Sequence, residues 1–376
     1  MTGQKRNPNN EDDPASKRNK EEDNPLTALE FFSGIGGLHY GLCHAVAHQN
    51  RRVSVRAAFD INTVANTVYA ASFGVQPRTR TLDCVTVKDI SAFGHIDLWL
   101  LSPPCQPFTQ GGNCLDDKDE RSKPLLHLIQ LLPLLPAKPK FIFLENVPNF
   151  ETSACRNLLV ACLQKLGYSI DEFILSPMQF GIPNDRRRYY LAAKMVSPTT
   201  DTSSNEPITP DLTLNLKTTW PLDGSDPVSV PPLSEYLETL DDVAPFLVPT
   251  QYITKRPTFR FDVVRPDSTR TSTVTKSYGT KMVTRSGSLL QTQKMEVVQP
   301  NFEDNASIVE LGLRFLTPRE VARLHAFPID DATDNLPHAT KLVFPESISV
   351  AQQYKLLGNS LNVKVIGDLM KHCFFS

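Results

Sequence analysis

One cysteine of the sequence lies in a constrained segment, Leu-Ser-Pro-Pro-Cys-Gln-Pro, at residues 101–107. Pro103, Pro104 and Pro107 restrict the backbone φ angles on both sides of Cys105. A loop that holds a thiol in one position favours nucleophilic attack, because the geometry is set before the reaction. The alternative is a small, buried and unreactive side chain, which is the usual state of a free cysteine. The segment makes Cys105 a candidate nucleophile.

A carboxylate and two arginines are the next candidates. Glu145 directly follows the apolar residues 141–144, where burial would raise the pKa of its carboxyl and let it give or share a proton. Arg186 and Arg188 lie two residues apart at the start of an apolar strand pattern, so they would share one face of that strand. A solvated charge run is the alternative interpretation of the arginines.

A glycine-rich turn, Ser-Gly-Ile-Gly-Gly at residues 33–37, follows the first apolar segment and precedes a helical pattern. Such a turn lets the backbone approach a ligand at a helix N-terminus. His39 stands at the last position of the GxGxxG pattern, so the dinucleotide fingerprint is incomplete. Asp60 lies where a carboxylate binds ribose hydroxyls. The two features predict a nucleoside cofactor, and a tight turn without a ligand is the alternative.

The elements that must position these residues alternate between strand and helix patterns from Leu26 onward. This alternation predicts an α/β fold with a parallel sheet covered by helices on both faces, closed by a strand pair at residues 168–175 and 189–196. Ligands of such sheets bind beyond the carboxyl ends of the strands. The candidates follow these ends in turn, with Asp83 ending a short strand at residues 79–83, Cys105 just past the fourth strand and Glu145 ending the fifth.

Residues 197–232 contain seven prolines, so the α/β pattern stops there. We expect a catalytic domain formed by residues 26–196 and 311–376, with a smaller lobe at residues 197–310. Helical patterns return in residues 314–327 and 349–372. Thr317 and Pro318 predict the start of a helix, with Glu320 completing a capping box.

The charge balance requires a local basic patch if the partner is a polyanion. The 376 residues carry 39 Lys and Arg against 41 Asp and Glu, a formal net charge of −2. The residues expected to form the patch are Arg186, Lys255, Arg256, Arg260, Arg265, Arg270, Lys276, Lys281 and Arg285. Residues 1–25 are polar and are expected to form a disordered tail. Their basic clusters at residues 5–6 and 17–20 suit a nuclear-import signal, with a solvated tail as the alternative.

The seven cysteines form no CxxC pair and no zinc-like spacing, so no metal site is predicted. No signal peptide and no apolar run of membrane-spanning length is visible. We therefore expect free thiols, a reducing setting in nucleus and cytoplasm, and no membrane partner.

The order of these motifs resembles that of the cytosine-C5 methyltransferases over about residues 28–371. The segments SPPCQPFT, LENVPNFE, FGIPNDRRRYYLAAK and LLGNSLNVKV are similar to those of the Dnmt2 group within that family. The resemblance implies a Rossmann-like S-adenosylmethionine-dependent methyltransferase fold with a smaller target-recognition lobe. It also implies methylation of a cytosine in the anticodon loop of tRNA, cytosine-38 of tRNA-Asp.

The resemblance further implies a role for each candidate. Cys105 would add to C6 of cytosine, and Glu145 would bind N3 and the exocyclic amine and supply the proton. Arg188 would hold the carbonyl of a flipped-out base and Arg186 the adjacent backbone. The residues matched to S-adenosylmethionine contacts are Phe32, Gly34, Ile35, Gly36, Gly37, Asp60, Ile61, Asp83, Ser102, Pro104, Asn359 and Ser360. No metal is required, because the cofactor supplies the electrophile.

One segment departs from the group: Thr273-Val274-Thr275-Lys276 stands where Cys-Phe-Thr-Lys is typical, which concerns substrate contacts. The sequence predicts an S-adenosylmethionine-dependent tRNA cytosine-5 methyltransferase, expected to be a monomer. A DNA cytosine-5 methyltransferase is the first alternative, because RNA and DNA differ at the site by a 2′-hydroxyl and overall shape. A nucleic-acid-binding protein without turnover is the second, and the four candidate catalytic side chains disfavour it.

Overall fold

The computed structural model describes residues 25–49, 51–104, 118–196, 210–329 and 340–376. This part of the chain contains a seven-stranded sheet in the order β2-β1-β3-β4-β6-β5-β7. The strands are β1 Leu26–Phe31, β2 Val53–Phe59, β3 Leu98–Leu101, β4 Phe141–Asn146, β5 Tyr168–Leu175, β6 Arg188–Met195 and β7 Leu216–Lys217. The first four strands are parallel, whereas β6 runs antiparallel to both β4 and β5.

Helices cover both faces of this sheet. The helices are α1 Gly37–Val46, α2 Thr63–Phe73, α3 Val87–Ser91, α4 Lys123–Leu131, α5 Ala154–Lys165, α6 Thr250–Thr254, α7 Asn305–Glu310, α8 Pro318–Leu324, α9 Val350–Asn359 and α10 Val363–Met370. On one face, Leu38 of α1 and Ile366 of α10 share a hydrophobic cluster with Leu100. On the other face, Leu128 of α4 packs in a cluster with Trp99.

The centre of the sheet is apolar because it is enclosed on both sides. Every residue of β1, β3 and β4 is buried. A parallel strand covered on both faces needs apolar side chains on both, which explains the continuous apolar runs in the sequence. The predicted α/β fold, with its closing strand pair, is confirmed.

The predicted strand at residues 79–83 is wrong. The segment ends in a 3-10 turn, Leu82–Cys84, and only Arg78 forms an isolated bridge, with Phe59. Leu82 is the buried side chain of this stretch, whereas Thr81 and Asp83 are exposed. A strand at the sheet edge needs a run of alternating apolar side chains, and one leucine is too little to hold it.

The two C-terminal helical patterns contain shorter helices than the sequence predicts. Thr317 caps α8 with the predicted capping box to Glu320, so the helix begins at Pro318 and not at residue 314. Residues 349–372 hold two helices, because the backbone is extended at Ser360 and Asn362 caps α10. The short Ser360–Asn362 connection is the part that reaches the site described below.

The described part of residues 210–310 contains short elements only. Two-residue strands, β8 Val263–Val264 and β9 Leu289–Leu290, form a small parallel pair. Their side chains belong to a hydrophobic cluster that also includes Tyr40 of α1 and Leu357 of α9. The segment is therefore packed directly on the helices of the sheet, and the domain boundaries proposed from the sequence stay a prediction.

Candidate active site

The glycine turn joins the end of β1 to the start of α1. Gly34 and Gly36 have φ angles of +52° and +85°, a backbone region that side chains other than glycine rarely adopt. A Cβ on Gly36 would lie 2.3 Å from a ring carbon of Phe73 on α2. Gly36, at the N-cap of α1, makes no side-chain cap hydrogen bond, and within the first turn the N–H of His39 donates to Glu30. The N–H groups of Gly37 and Leu38 are therefore the ones able to meet an anionic ligand.

Asp60 fixes the turn from the end of β2. One of its carboxylate oxygens accepts the N–H of Gly34 at 2.8 Å, and the other accepts the N–H of Asn62 at 2.7 Å. Burial raises the pKa of Asp60, and these two hydrogen bonds oppose the shift. Asn62 in turn caps α2, because its side-chain oxygen accepts the N–H groups of Val64 and Ala65. One carboxylate thus sets the position of the turn relative to α2.

A cavity of about 450 Å³ lies beside the turn, at the carboxyl ends of β1, β2 and β3. Its volume is in the range of small-molecule sites. Eleven of the twelve residues matched to cofactor contacts line it: Phe32, Gly34, Ile35, Gly37, Asp60, Ile61, Asp83, Ser102, Pro104, Asn359 and Ser360. The twelfth, Gly36, faces Phe73 of α2 instead. The structure therefore brings residues from both predicted catalytic segments to one cavity.

Several lining residues escape the sequence analysis. They include Arg80, Thr81, Leu82, Glu120, Arg121, Pro124 and Leu356. Leu356 lies one helical turn before Ser360, so the periodicity of α9 contained a signal for it. No sequence motif marks Glu120 and Arg121. They line the cavity only because of the path that the chain follows after β3.

Glu145 lies at the carboxyl end of β4 and is only 7 % exposed. The Ser102 hydroxyl donates a hydrogen bond to its Oε2 at 3.0 Å, and Arg188 Nε lies 3.5 Å from its Oε1. Burial raises the pKa of Glu145, while the charges of Arg188 and Arg186 and the Ser102 hydrogen bond oppose the rise. A carboxyl with a raised pKa holds a proton more readily than an exposed carboxyl does, which makes Glu145 a candidate acid.

The neighbouring Asn146 ties this strand to the loop that carries the candidate nucleophile. Its side-chain amide donates to the carbonyl of Pro103 at 3.2 Å, and the side chain is 2 % exposed. Cys105 itself lies outside the described residues. Asn146 therefore fixes the entrance of the Pro-Pro-Cys loop beside Glu145, a role that the sequence analysis did not assign to it.

Arg186 is buried, with 2 % of the residue exposed, and lies at a junction between several segments of the chain. The sequence predicted it in an exposed basic patch, and that prediction is wrong. Its guanidinium donates to the carbonyls of Val274, Gly358 and Ser360. A guanidinium offers several N–H donors in a fixed planar arrangement, so one buried arginine is able to satisfy all three carbonyls. Arg188 is the arginine that approaches Glu145, and a contact of Arg186 with nucleic acid stays a prediction.

The segment Thr273-Val274-Thr275, which stands where Cys-Phe-Thr is typical of the group, packs against the same junction. The Thr273 hydroxyl donates to the carbonyl of Asp185 at 2.8 Å, and Val274 is buried. A Cβ on Gly358 would lie 2.2 Å from the carbonyl carbon of Thr275. The segment therefore keeps a hydrogen bond to the loop before β6 although threonine replaces the typical cysteine.

Outside this site the described residues offer little further chemistry. Cys43, Cys84, Cys155, Cys162 and Cys373 are free thiols. In the described ranges no three His, Cys, Asp or Glu side chains are grouped as a metal site would require. No described helix has the length and apolar character needed to cross a bilayer.

Comparisons with known proteins agree on methylation of cytosine C5 and differ in the nucleic acid that the relatives' names state. The family model for C-5 cytosine-specific DNA methylases matches residues 26–374. A tRNA (cytosine(38)-C(5))-methyltransferase of Homo sapiens is 33 % identical over 92 % of this chain and 98 % of that protein. A DNA (cytosine-5)-methyltransferase of Dictyostelium discoideum is 33 % identical over 92 % of this chain and 93 % of that protein. The crystal structure of S. pombe Dnmt2 methyltransferase superposes with a TM-score of 0.73 at 32 % identity, covering 93 % and 98 % of the two chains.

Proposed function

The chain belongs to the family of C-5 cytosine-specific DNA methylases, and we propose that it methylates carbon 5 of a cytosine in tRNA. The observation that carries the proposal is the buried Glu145, held by Ser102 and Arg188 beside the cavity and the start of the Cys105 loop. Cytosine is a poor nucleophile at C5, so the reaction needs a thiolate and an acid that act on the ring together.

The cavity residues fit the cofactor of this family, S-adenosylmethionine, which supplies an electrophilic methyl group when bound. The uncapped start of α1 suits the carboxylate of its amino-acid part. Asp60 lies at the wall where ribose hydroxyls would bind, although both of its oxygens already accept a backbone N–H. Ile61 is 70 % exposed at the cavity and offers an apolar surface to a base. These residues bind and orient, and none of them has to react.

Cys105 would form a bond from its sulfur to C6 of the cytosine ring. As this bond forms, the electrons of the C5–C6 double bond move toward N3, and Glu145 gives its proton to N3. Carbon 5 is then an enamine carbon and able to take up a methyl group from S-adenosylmethionine, with S-adenosylhomocysteine as the leaving group. Afterwards a base would remove the proton from C5, the C6–S bond would break with its electrons returning to the Cys105 sulfur, and the C5–C6 double bond would be restored. N3 would return its proton to Glu145, so that the carboxyl is ready for the next cycle.

Ser102 and Arg188 prepare Glu145 for this step. The Ser102 hydroxyl donates to one oxygen, which fixes the direction of the carboxyl. Arg188 lies at the other oxygen, and its charge opposes the rise of the Glu145 pKa that burial causes. Ser102 follows β3, Glu145 lies at the carboxyl end of β4, and Arg188 begins the antiparallel β6, so the three meet at one edge of the sheet. A base has to leave its stack to reach them there.

The experiment that tests the proposal uses tritiated S-adenosylmethionine, the full chain, and total tRNA or genomic DNA as acceptor. We expect label in the tRNA fraction that ribonuclease removes and deoxyribonuclease leaves intact. Digestion to nucleosides should place the label in 5-methylcytidine. Label that survives ribonuclease, or label in another nucleoside, would contradict the proposal.

DNA methylation is the second candidate, favoured by the relative from Dictyostelium discoideum whose name states that activity. The same arrangement around Glu145 would serve either RNA or DNA, because the reaction takes place on the cytosine ring alone. The deoxyribonuclease arm of the experiment separates the two. We also propose that the protein is a monomer and that it acts in both nucleus and cytoplasm. Imaging of the full chain beside a variant that lacks residues 1–24 tests the location.

A further inference from the structure

A second buried carboxyl lies directly beneath the glycine turn. Glu30, on β1, is fully buried, three residues before the turn begins. The hydroxyl of Tyr69 on α2 lies 2.9 Å from Glu30 Oε2 and 3.0 Å from the Nδ1 of His39 on α1. The backbone N–H of His39 donates to Glu30 Oε1 at 3.2 Å. Three side chains from three elements thus form one hydrogen-bonded chain, which we call the turn clamp.

The turn clamp encloses the turn on both sides. Glu30 precedes residues 33–37 and His39 follows them, so their contacts hold both ends of the turn. The His39 ring stacks on Phe73 of α2 at 4.0 Å between centroids. The same Phe73 contacts Gly36, where no Cβ would fit. Any shift of the clamp is therefore transmitted to the backbone that lines the cavity.

The protonation state of Glu30 decides how the three side chains of the turn clamp are hydrogen-bonded. Burial raises the pKa of Glu30 to about 8, and burial lowers the pKa of His39 below its usual range. With Glu30 protonated, its carboxyl proton donates to Tyr69 and the Tyr69 proton to His39 Nδ1, so that every member is neutral and bonded. With Glu30 ionised, Tyr69 donates to the carboxylate and His39 has to change its tautomer.

Burial is the main factor that disfavours the ionised form of Glu30, and the charge of Asp60 adds to it. The hydrogen bonds from Tyr69 and from the backbone N–H of His39 oppose this rise of the pKa without cancelling it. Tyr40 and Cys43 of α1 are the other titratable neighbours, and burial raises the pKa of both, so they stay neutral. The described surroundings contain no cation among these groups that would stabilise a carboxylate at Glu30.

We infer that Glu30, Tyr69 and His39 are positioning residues for the cofactor: the turn clamp holds residues 33–37 in the shape that binds S-adenosylmethionine. The inference rests on the proposed function for the identity of the ligand. It adds that binding weakens when Glu30 loses its proton, because a charge then replaces the neutral chain under the turn.

Calorimetric titration of the full chain with S-adenosylhomocysteine tests this without any turnover. For the unchanged protein we expect affinity to fall as pH rises from about 6.5 through 8 to 9. Glu30→Gln keeps a neutral amide that donates to Tyr69 and accepts from His39, so its affinity should stay nearly flat over the same range. Tyr69→Phe removes the hydroxyl that links Glu30 to His39 and should weaken binding of S-adenosylhomocysteine about tenfold at pH 6.5.

The matched control is Tyr40→Phe, which removes a buried hydroxyl that packs beside Phe73 but does not belong to the clamp. It should bind within about twofold of the unchanged protein. Thermal unfolding at each pH checks that every variant is folded. If Tyr69→Phe does not fold, the comparison of Glu30→Gln with the unchanged protein decides.

The outcomes separate the two levels of the argument. No binding of S-adenosylhomocysteine by the unchanged protein at any pH would contradict the proposed function. Binding that is the same at all pH values in both the unchanged protein and Glu30→Gln would overturn the turn clamp while leaving the proposed function intact.

Discussion

Three carboxyl side chains at the ends of neighbouring strands have raised pKa values, yet their surroundings give them different tasks. Glu30 is enclosed with a tyrosine and a histidine and stays neutral. Asp60 accepts two backbone N–H groups and shapes the cavity wall. Glu145 is buried but lies beside Arg188, whose charge opposes the rise of its pKa, and it is the carboxyl placed to act on a base. At the scale of single residues, hydrogen-bond partners decide between structure and chemistry.

The role of Glu145 predicts a specific kinetic effect. Glu145→Gln keeps the shape of the side chain but cannot give a proton to N3. Methyl transfer at saturating substrates should slow by about 10²–10⁴-fold, while the affinity for S-adenosylhomocysteine stays unchanged. Single-turnover rates and calorimetry measure the two quantities. A variant that loses cofactor affinity and keeps its rate would show that Glu145 belongs to the cofactor site.

The burial of Glu30 predicts a dependence of stability on pH. Because its folded-state pKa of about 8 lies above the ordinary value of 4.5, the folded chain keeps a proton that the unfolded chain has released. The free energy of unfolding therefore falls between these two pH values. Glu30→Gln removes this loss. Its free energy of unfolding, relative to that of the unchanged protein, should therefore rise by about 2–4 kcal/mol between pH 5 and pH 8.

Urea unfolding at several pH values measures that difference. Glu346→Gln is the control, because Glu346 is exposed and should show a constant difference at every pH. Parallel curves for Glu30→Gln and the unchanged protein would mean that Glu30 is ionised in the folded chain.

At the scale of elements, the junction around Arg186 connects the smaller lobe to the cavity. Gly358 of α9 packs so closely on residues 275 and 276 that a Cβ would come within 2.2–2.4 Å of their backbone atoms. Alanine is favoured over glycine within a helix, but backbone atoms on the other side cannot move cheaply. The close approach is therefore what requires glycine at this position.

Gly358→Ala should consequently lower the free energy of unfolding by about 1–3 kcal/mol, the usual cost of overpacking. Chemical denaturation measures the loss. Lys355→Ala, an exposed change on the same helix, should alter stability by less than about 0.5 kcal/mol. An equal effect of both variants would disprove the close contact between α9 and the lobe.

The elements also show what local patterns can predict. The central strands were predictable, because burial on both faces leaves apolar runs in β3 and in the first four residues of β4, and a largely apolar β1. Residues at strand ends, such as Asp60 and Glu145, followed from the geometry of parallel sheets. The buried role of Arg186 was not predictable, because its partners lie 88 to 174 residues away in the sequence. The turn at residues 82–84 was missed because a single apolar side chain does not distinguish a strand from a turn.

At the scale of the whole molecule, a nearly neutral chain has to bind a polyanion through a local surface. Arg265 pairs with Asp267, and Arg270 pairs with Asp185. The expected basic residues that have no carboxylate within 4 Å in the described part of the chain are Lys255, Arg256, Arg260, Lys276, Lys281 and Arg285. These side chains are the ones best able to release counterions from a nucleic-acid backbone.

The double variant Lys276→Ala and Lys281→Ala should weaken tRNA binding and lower the slope of log affinity against log salt by about 2. The control removes two exposed lysines elsewhere, Lys165 and Lys371, and should leave the slope unchanged. Filter binding between low and physiological salt measures both. Equal slopes for the two double variants would mean that Lys276 and Lys281 do not contact phosphate.

The central claim is that a thiolate of Cys105 forms a covalent bond to the target cytosine. RNA that carries 5-fluorocytosine at the target should trap this bond after methyl transfer, because fluorine cannot leave C5 as a cation. The account predicts an adduct that survives denaturing electrophoresis, needs S-adenosylmethionine to accumulate, maps by peptide mass to the segment with Cys105, and persists in Cys114→Ser. An adduct on another cysteine, or none despite turnover on ordinary RNA, would contradict it.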